Sequence, residues 1–255
     1  MDRLISASVT PRLVSEFSLK IGWCNTAHEA AIVFEEPQRV LIEKDSTAGG
    51  RGFLSCPSVR AYFGATFAVR SPFSLRLSFE EGSNGPIIRP VYPFTSLTQA
   101  KVQELVKVEP KSSWRDLKAV VIQIPSPYLF FADESVVMRQ DPVLLSTPSS
   151  HSWRLIPGKF NIYDWQRPMN WAVEWYPQAG DFTIKAGEPM YYLSFENPEG
   201  PPPSSVDLVE CELTPELESR LKETRGVTAI KRGVVPLFAL ARAKRKNLKF
   251  LSVES

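Results

Sequence analysis

Arg167 and Glu174 are the side chains with the most to offer chemically, because they stand among aromatics within one short stretch. Trp165, Trp171 and Trp175 surround them, with Asp164 and Asn170 in the intervals. A guanidinium can hold a carboxylate or phosphate through two parallel N–H donors. Aromatic faces add surfaces for stacking, and a carboxylate can accept a hydrogen bond or move a proton. The candidate binding set is therefore Trp165, Arg167, Asn170, Trp171, Glu174 and Trp175, carried on a wide loop over 163–176. In an enzyme on a small molecule, Arg167 would anchor an anion and Glu174 would serve as general acid or base. The competing reading is purely structural: the tryptophans cap the open end of a β core and the charges pair with each other.

Other chemistries find little support. The chain has two histidines, His28 followed by Glu29 and His151 followed by Ser152. Neither has the partner spacing that a histidine-ligated metal requires. Cys24, Cys56 and Cys211 are an odd, scattered set, which points to reduced and mostly buried thiols rather than a zinc site or a disulfide framework. No Gly-x-Ser-x-Gly elbow accompanies the serines. The glycines of Asp45–Gly52 lack the order of a phosphate-binding loop. Neither a metal nor a cofactor is expected.

The elements that must position these residues are short. With 22 prolines among 255 residues, the apolar runs are cut into pieces of strand length. Residues 17–21, 31–34 and 39–43 read as strands, as do 67–70, 75–79, 117–124, 129–132, 135–138, 143–145, 160–163, 181–185 and 189–195. Residues 80–90 read as a loop. Ser58–Gly64 and Thr98–Val108 have helical spacing, with Thr98 as an N-cap. Many short strands between frequent turns imply a mainly β fold, an antiparallel β-sandwich or jelly roll with short helices. The domain plan is an N-terminal arm over 1–15, the β domain over 16–196, a proline-rich linker over 197–205 and a helical C-terminal tail over 206–255. In that tail Thr214-Pro215 starts a helix, Leu217 and Leu221 stack one turn apart, and Glu218 faces Lys222. The linker implies an appendage whose removal leaves the β domain folded.

An ordered series of short blocks runs from Cys56-Pro57 through Tyr62-Phe63, Phe67–Arg70, Trp114-Arg115 and Ile124-Pro125. It continues through Leu155–Gly158, Phe160–Trp165, Arg167-Pro168 and Ile184–Pro189 to Tyr191 and Phe195. In this order the chain resembles an uncharacterised family of β-rich proteins encoded by marine phages and some bacteria. The resemblance implies a β fold and carries no established activity. Residues before Cys56 and after Pro198 look like additions to it.

Electrostatics add bounds. Thirty basic against 28 acidic side chains leave a formal charge of +2, so no global attraction to nucleic acid or an acidic membrane follows. The run Arg242–Lys249 could meet nucleic acid or an acidic surface, although cations near a helix end explain it as well. No apolar run reaches the roughly 18–20 residues of a membrane span. The N-terminus lacks a signal-peptide core. A soluble, cytoplasmic, metal-independent protein is expected, one that binds a small ligand or a protein partner. Elemental analysis of the purified protein should find no stoichiometric transition metal; an equivalent of zinc or iron would contradict this reading.

Overall fold

Alternating apolar and polar side chains draw more of the described chain into strands than into helices. A computed structural model describes residues 18–26, 32–41, 55–83, 85–144, 152–200, 203, 205–225 and 234–243. The arm over 1–15, His28, the 45–52 loop, His151 and residues 244–249 of the basic run lie outside the described residues. In chain order the elements are β1 (Ser18–Asn25), β2 (Gln38–Arg39), α1 (Pro57–Gly64), β3 (Thr66–Arg70), β4 (Leu75–Gly82), β5 (Gly85–Pro90) and α2 (Gln99–Leu105). Then come β6 (Lys107–Val108), β7 (Val120–Phe131), β8 (Val137–Asp141), β9 (Trp153–Leu155), β10 (Gly158–Asn161) and β11 (Pro168–Trp175). The remainder is β12 (Phe182–Ile184), β13 (Pro189–Glu196), β14 (Ser205–Glu210), α3 (Pro215–Arg225) and α4 (Val234–Ala243).

The fold is mainly β, as expected, and consistent with a sandwich. One sheet has the order β14-β1-β7-β11-β9, with β6 joined to β7; a second has the order β10-β8-β13-β3-β2, and a third is β12-β4-β5. Neighbours run antiparallel except β1 and β14, which are parallel in register from Ser18↔Ser205 to Trp23↔Glu210. Period-two alternation fills the core. Leu19, Ile21 and Trp23 of β1, Ile122, Ile124, Tyr128 and Phe130 of β7, and Trp171, Val173 and Trp175 of β11 share one cluster with Tyr191, Leu193 and Phe195 of β13.

Three departures from the sequence expectations matter for the site. First, β7 is one strand of 12 residues that passes through Pro125-Ser126-Pro127 instead of ending there. The prolines fall where β7 changes neighbours: β6 pairs with Gln123 and Ile122, whereas β1 pairs with Tyr128 to Phe131. Between those two partners the edge carries no ladder, so the missing N–H groups of the prolines leave nothing unpaired there. Second, residues 80–90 form a hairpin rather than a loop, turned at Gly85 with φ +120. Pro86 and Pro90 are tolerated because β5 is an edge strand. Third, residues 31–34 and 143–144 are not strands where they are described, and β2 is only two residues long.

The stretch after the linker also differs from expectation. It begins with a strand, β14, before its helices. Val206 is buried against the core, and α3 lays Leu217 on the outer face of the main sheet beside Cys24, Leu129 and Phe131. Thr214 caps α3, its Oγ1 accepting the Leu217 N–H at 3.3 Å. β14 is thus built into the sheet and α3 is packed on its outer face, instead of hanging from the β domain. A truncation ending at Pro203 is expected to lose cooperative unfolding, because it bares the whole pairing edge of β1 and the Leu129/Phe131 face. A soluble product that melts cooperatively near the temperature of the full chain would contradict this placement.

Candidate functional site

β11 divides the predicted site residues between its two faces. Met169, Trp171, Val173 and Trp175 point into the core, while Asn170 and Glu174 point to the outer face. Trp171 and Trp175 are therefore core residues, packed against Phe182, and not part of any binding surface. The wide aromatic loop expected over 163–176 is in fact a short turn followed by this strand.

Glu174 also leaves the site. It is 7% exposed and accepts two hydrogen bonds from Arg115, from Nε at 3.0 Å and from Nη2 at 2.6 Å. Seven residues of strand separate it from Arg167, roughly 20 Å at strand rise. A carboxylate gripped on both oxygens at that distance cannot serve as the general acid or base for an anion at Arg167. This corrects the enzymatic assignment.

The turn before β11 is held by an internal polar cluster. Asp164, 1% exposed, receives Arg242 Nε at 2.8 Å and Asn161 Nδ2 at 2.9 Å. Arg220 of α3 is 2% exposed and donates from Nη2 to the Asp164 carbonyl at 2.7 Å and to the Ala241 carbonyl at 3.1 Å. Its Nε reaches Gln166 Oε1 at 3.2 Å. Gln166 turns its amide back to the carbonyls of Ile162 and Tyr163, and Thr224 Oγ1 donates to the Gln166 carbonyl. Burial pulls the Arg220 guanidinium below the usual arginine range, against the pull of Glu223 and Asp164. Trp165 closes the cluster by packing edge-on to Phe238 of α4, 5.5 Å between ring centroids. Arg242, the first residue of the basic run, is thus spent on an internal ion pair.

Arg167 emerges from this turn with no carboxylate or carbonyl partner among the described residues. Both acids nearest to it in sequence are engaged, Asp164 by Arg242 and Glu174 by Arg115. The half-buried guanidinium lies 5.4 Å from the Trp165 ring centroid and 6.0 Å from that of Phe160. Burial alone holds it below its ordinary pKa range. An arginine placed so is stabilised by ring quadrupoles but has lost water without gaining an anion among the described residues.

The space it faces is a cleft of about 540 Å³ between α3 and the start of β11. Trp165, Arg167 and Asn170 line it together with Thr26 at the end of β1 and Leu221 and Lys222 of α3. Asn170 Nδ2 is bonded to Gln123 Oε1 at 3.0 Å, and Lys222 sits 3.4 Å from Glu218, the pair expected from their spacing. Three of the six predicted residues, Trp165, Arg167 and Asn170, thus meet at one cleft.

Sequence reasoning passed over Arg220, placed Arg115 only in the block order and read Arg242 only as the start of the basic run, so none was expected to hold the site together. Only Arg220 left a local signal: it follows Leu217 by three residues and precedes Thr224 by four, which puts an arginine on the buried stripe of α3. Among the thiols, Cys24 is buried, with its pKa pushed up to about 12 by desolvation and then by Cys211. Cys56 is exposed, contrary to expectation. No group of three metal-ligating side chains occurs among the described residues, and no helix there is long and apolar enough to cross a membrane.

No protein-family model matches the chain, and no curated protein matches it. Arg167→Met should keep or raise the melting temperature, since the ring contacts it loses are worth about 0.5–1 kcal/mol and the burial of an unpaired charge is relieved. A loss above about 3 kcal/mol would instead expose an internal ion pair.

Proposed function

We propose that the protein is a metal-independent binding protein, phage-related in the way its block order suggests, that takes a small oxyanion at Arg167. The observation that carries this reading is a half-buried guanidinium, backed by Trp165 and Phe160, that lines a cleft and lacks a carboxylate partner among the described residues. Evolution rarely leaves such a charge desolvated without use, because it lowers stability in the free protein. A bound carboxylate or phosphate would restore the missing hydrogen bonds in the planar two-pronged geometry that arginine favours. Lys222 adds a second cation at the rim, already offset by Glu218. Binding is favoured over catalysis because Glu218, the carboxylate lining the cleft, is itself paired with Lys222.

The test is a thermal titration with acetate and with inorganic phosphate at constant ionic strength, using chloride as the reference anion. The wild-type protein should gain stability with the oxyanion, about 2.7 kcal/mol at a hundredfold excess over Kd. Arg167→Lys should bind about tenfold to a hundredfold more weakly, equivalent to about 1–3 kcal/mol. Equal responses of wild type and Arg167→Lys would refute the reading.

A further inference from the structure

A second chamber of about 300 Å³ adjoins the cleft, and Thr26 and Pro168 line both. It lies at the gap in the main sheet where β7 hands over from β6 to β1, against Pro125 and Pro127. Ile32, Phe34 and Leu105 supply the rest of its apolar wall. Its polar side chains are already occupied. Lys101 binds Glu104 at 2.8 Å, Ser126 Oγ meets Tyr191 Oη at 3.4 Å, and Thr26 Oγ1 donates to the Pro127 carbonyl at 2.9 Å. What this chamber offers a guest is hydrocarbon surface, whereas the adjoining cleft offers a cation with no acid partner among the described residues. The two volumes fall in the range of small-molecule sites.

Resting on the oxyanion reading above, we propose that the ligand is an amphipathic carboxylate of medium chain length. Its head is held by Arg167, and its alkyl chain passes between Thr26 and Pro168 into the chamber at the β7 prolines. A short anion such as acetate fills the cleft alone and leaves the apolar chamber wet. A chain of several methylenes displaces that water from a surface that cannot hydrogen-bond it.

Isothermal titration with butyrate, hexanoate and octanoate tests this, with 1-octanol as the chain without the anion. The affinity of wild-type protein should rise about fourfold per methylene, and octanol should bind far more weakly than octanoate. Arg167→Lys should weaken all three acids by a common factor. Leu105→Trp, which narrows the chamber, should reduce the chain-length slope; Ile32→Gln should reduce it by making the wall polar, should the tryptophan not be accommodated. Equal affinity for the three acids, still dependent on Arg167, would overturn the amphipathic ligand and leave the oxyanion reading standing. A chain-length effect indifferent to Arg167 would overturn it too, by placing the tail elsewhere. Failure of acetate, phosphate and all three acids to bind would remove the oxyanion reading and this inference with it.

Discussion

Burial of Arg220 is the constraint on which the site depends. A guanidinium enclosed between α3 and the turn over 161–167 must find acceptors for its donors or the interface would not form. It finds them in main-chain carbonyls at Asp164 and Ala241 and in the side chain of Gln166. Because those carbonyls belong to the turn and to α4, one side chain ties the two C-terminal helices to a turn 56 residues before it in sequence. Thr224 and Arg242 reinforce the same contact from either helix. The C-terminal helices are therefore the clamp that gives the turn its shape.

The distribution of negative charge follows from that clamp. Asp164 is committed to Arg242 and Asn161, and Glu174 lies on the outer face of β11 under Arg115. Arg167, directly between them in sequence, is left with aromatic rings. Pro125 and Pro127 stop neighbouring strands from closing over β7, and the resulting gap opens beside Pro168. Among the described residues, a cation without an acid partner thus stands beside an apolar gap. A single ligand of the kind proposed would cover both.

Much of this was legible in the sequence, and the failures have physical reasons. The β class, the helix at 57–64, the Thr98 cap and the Thr214-Pro215 start of α3 all rest on local rules, which tertiary structure rarely overrides. The alternation Met169-x-Trp171-x-Val173-x-Trp175 was equally local and should have identified a half-buried strand. The density of tryptophan drew attention to stacking chemistry instead. The prolines of β7 and the hairpin at 80–90 misled because proline stops a strand only where a ladder partner needs its N–H. The pairing of Glu174 with Arg115 spans 59 residues and that of Asp164 with Arg242 spans 78. No spacing rule reaches so far. The parallel junction of β1 with β14 is hidden for the same reason. Arg167 stands out because it has no acid partner among the described residues, a feature visible only once the described acids near it are traced to their own partners.

We propose that the clamp at Arg220 presents Arg167 to the cleft with no acid partner among the described residues. Nitrogen-15 NMR of the arginine Nε–Hε groups measures it directly, with the Arg167 signal identified by its disappearance in Arg167→Lys. On addition of octanoate that signal should shift downfield and exchange more slowly with water in the wild-type protein, and should do neither in Arg220→Leu. An Arg167 signal that ignores octanoate in the wild type, or that responds identically without Arg220, would contradict the account.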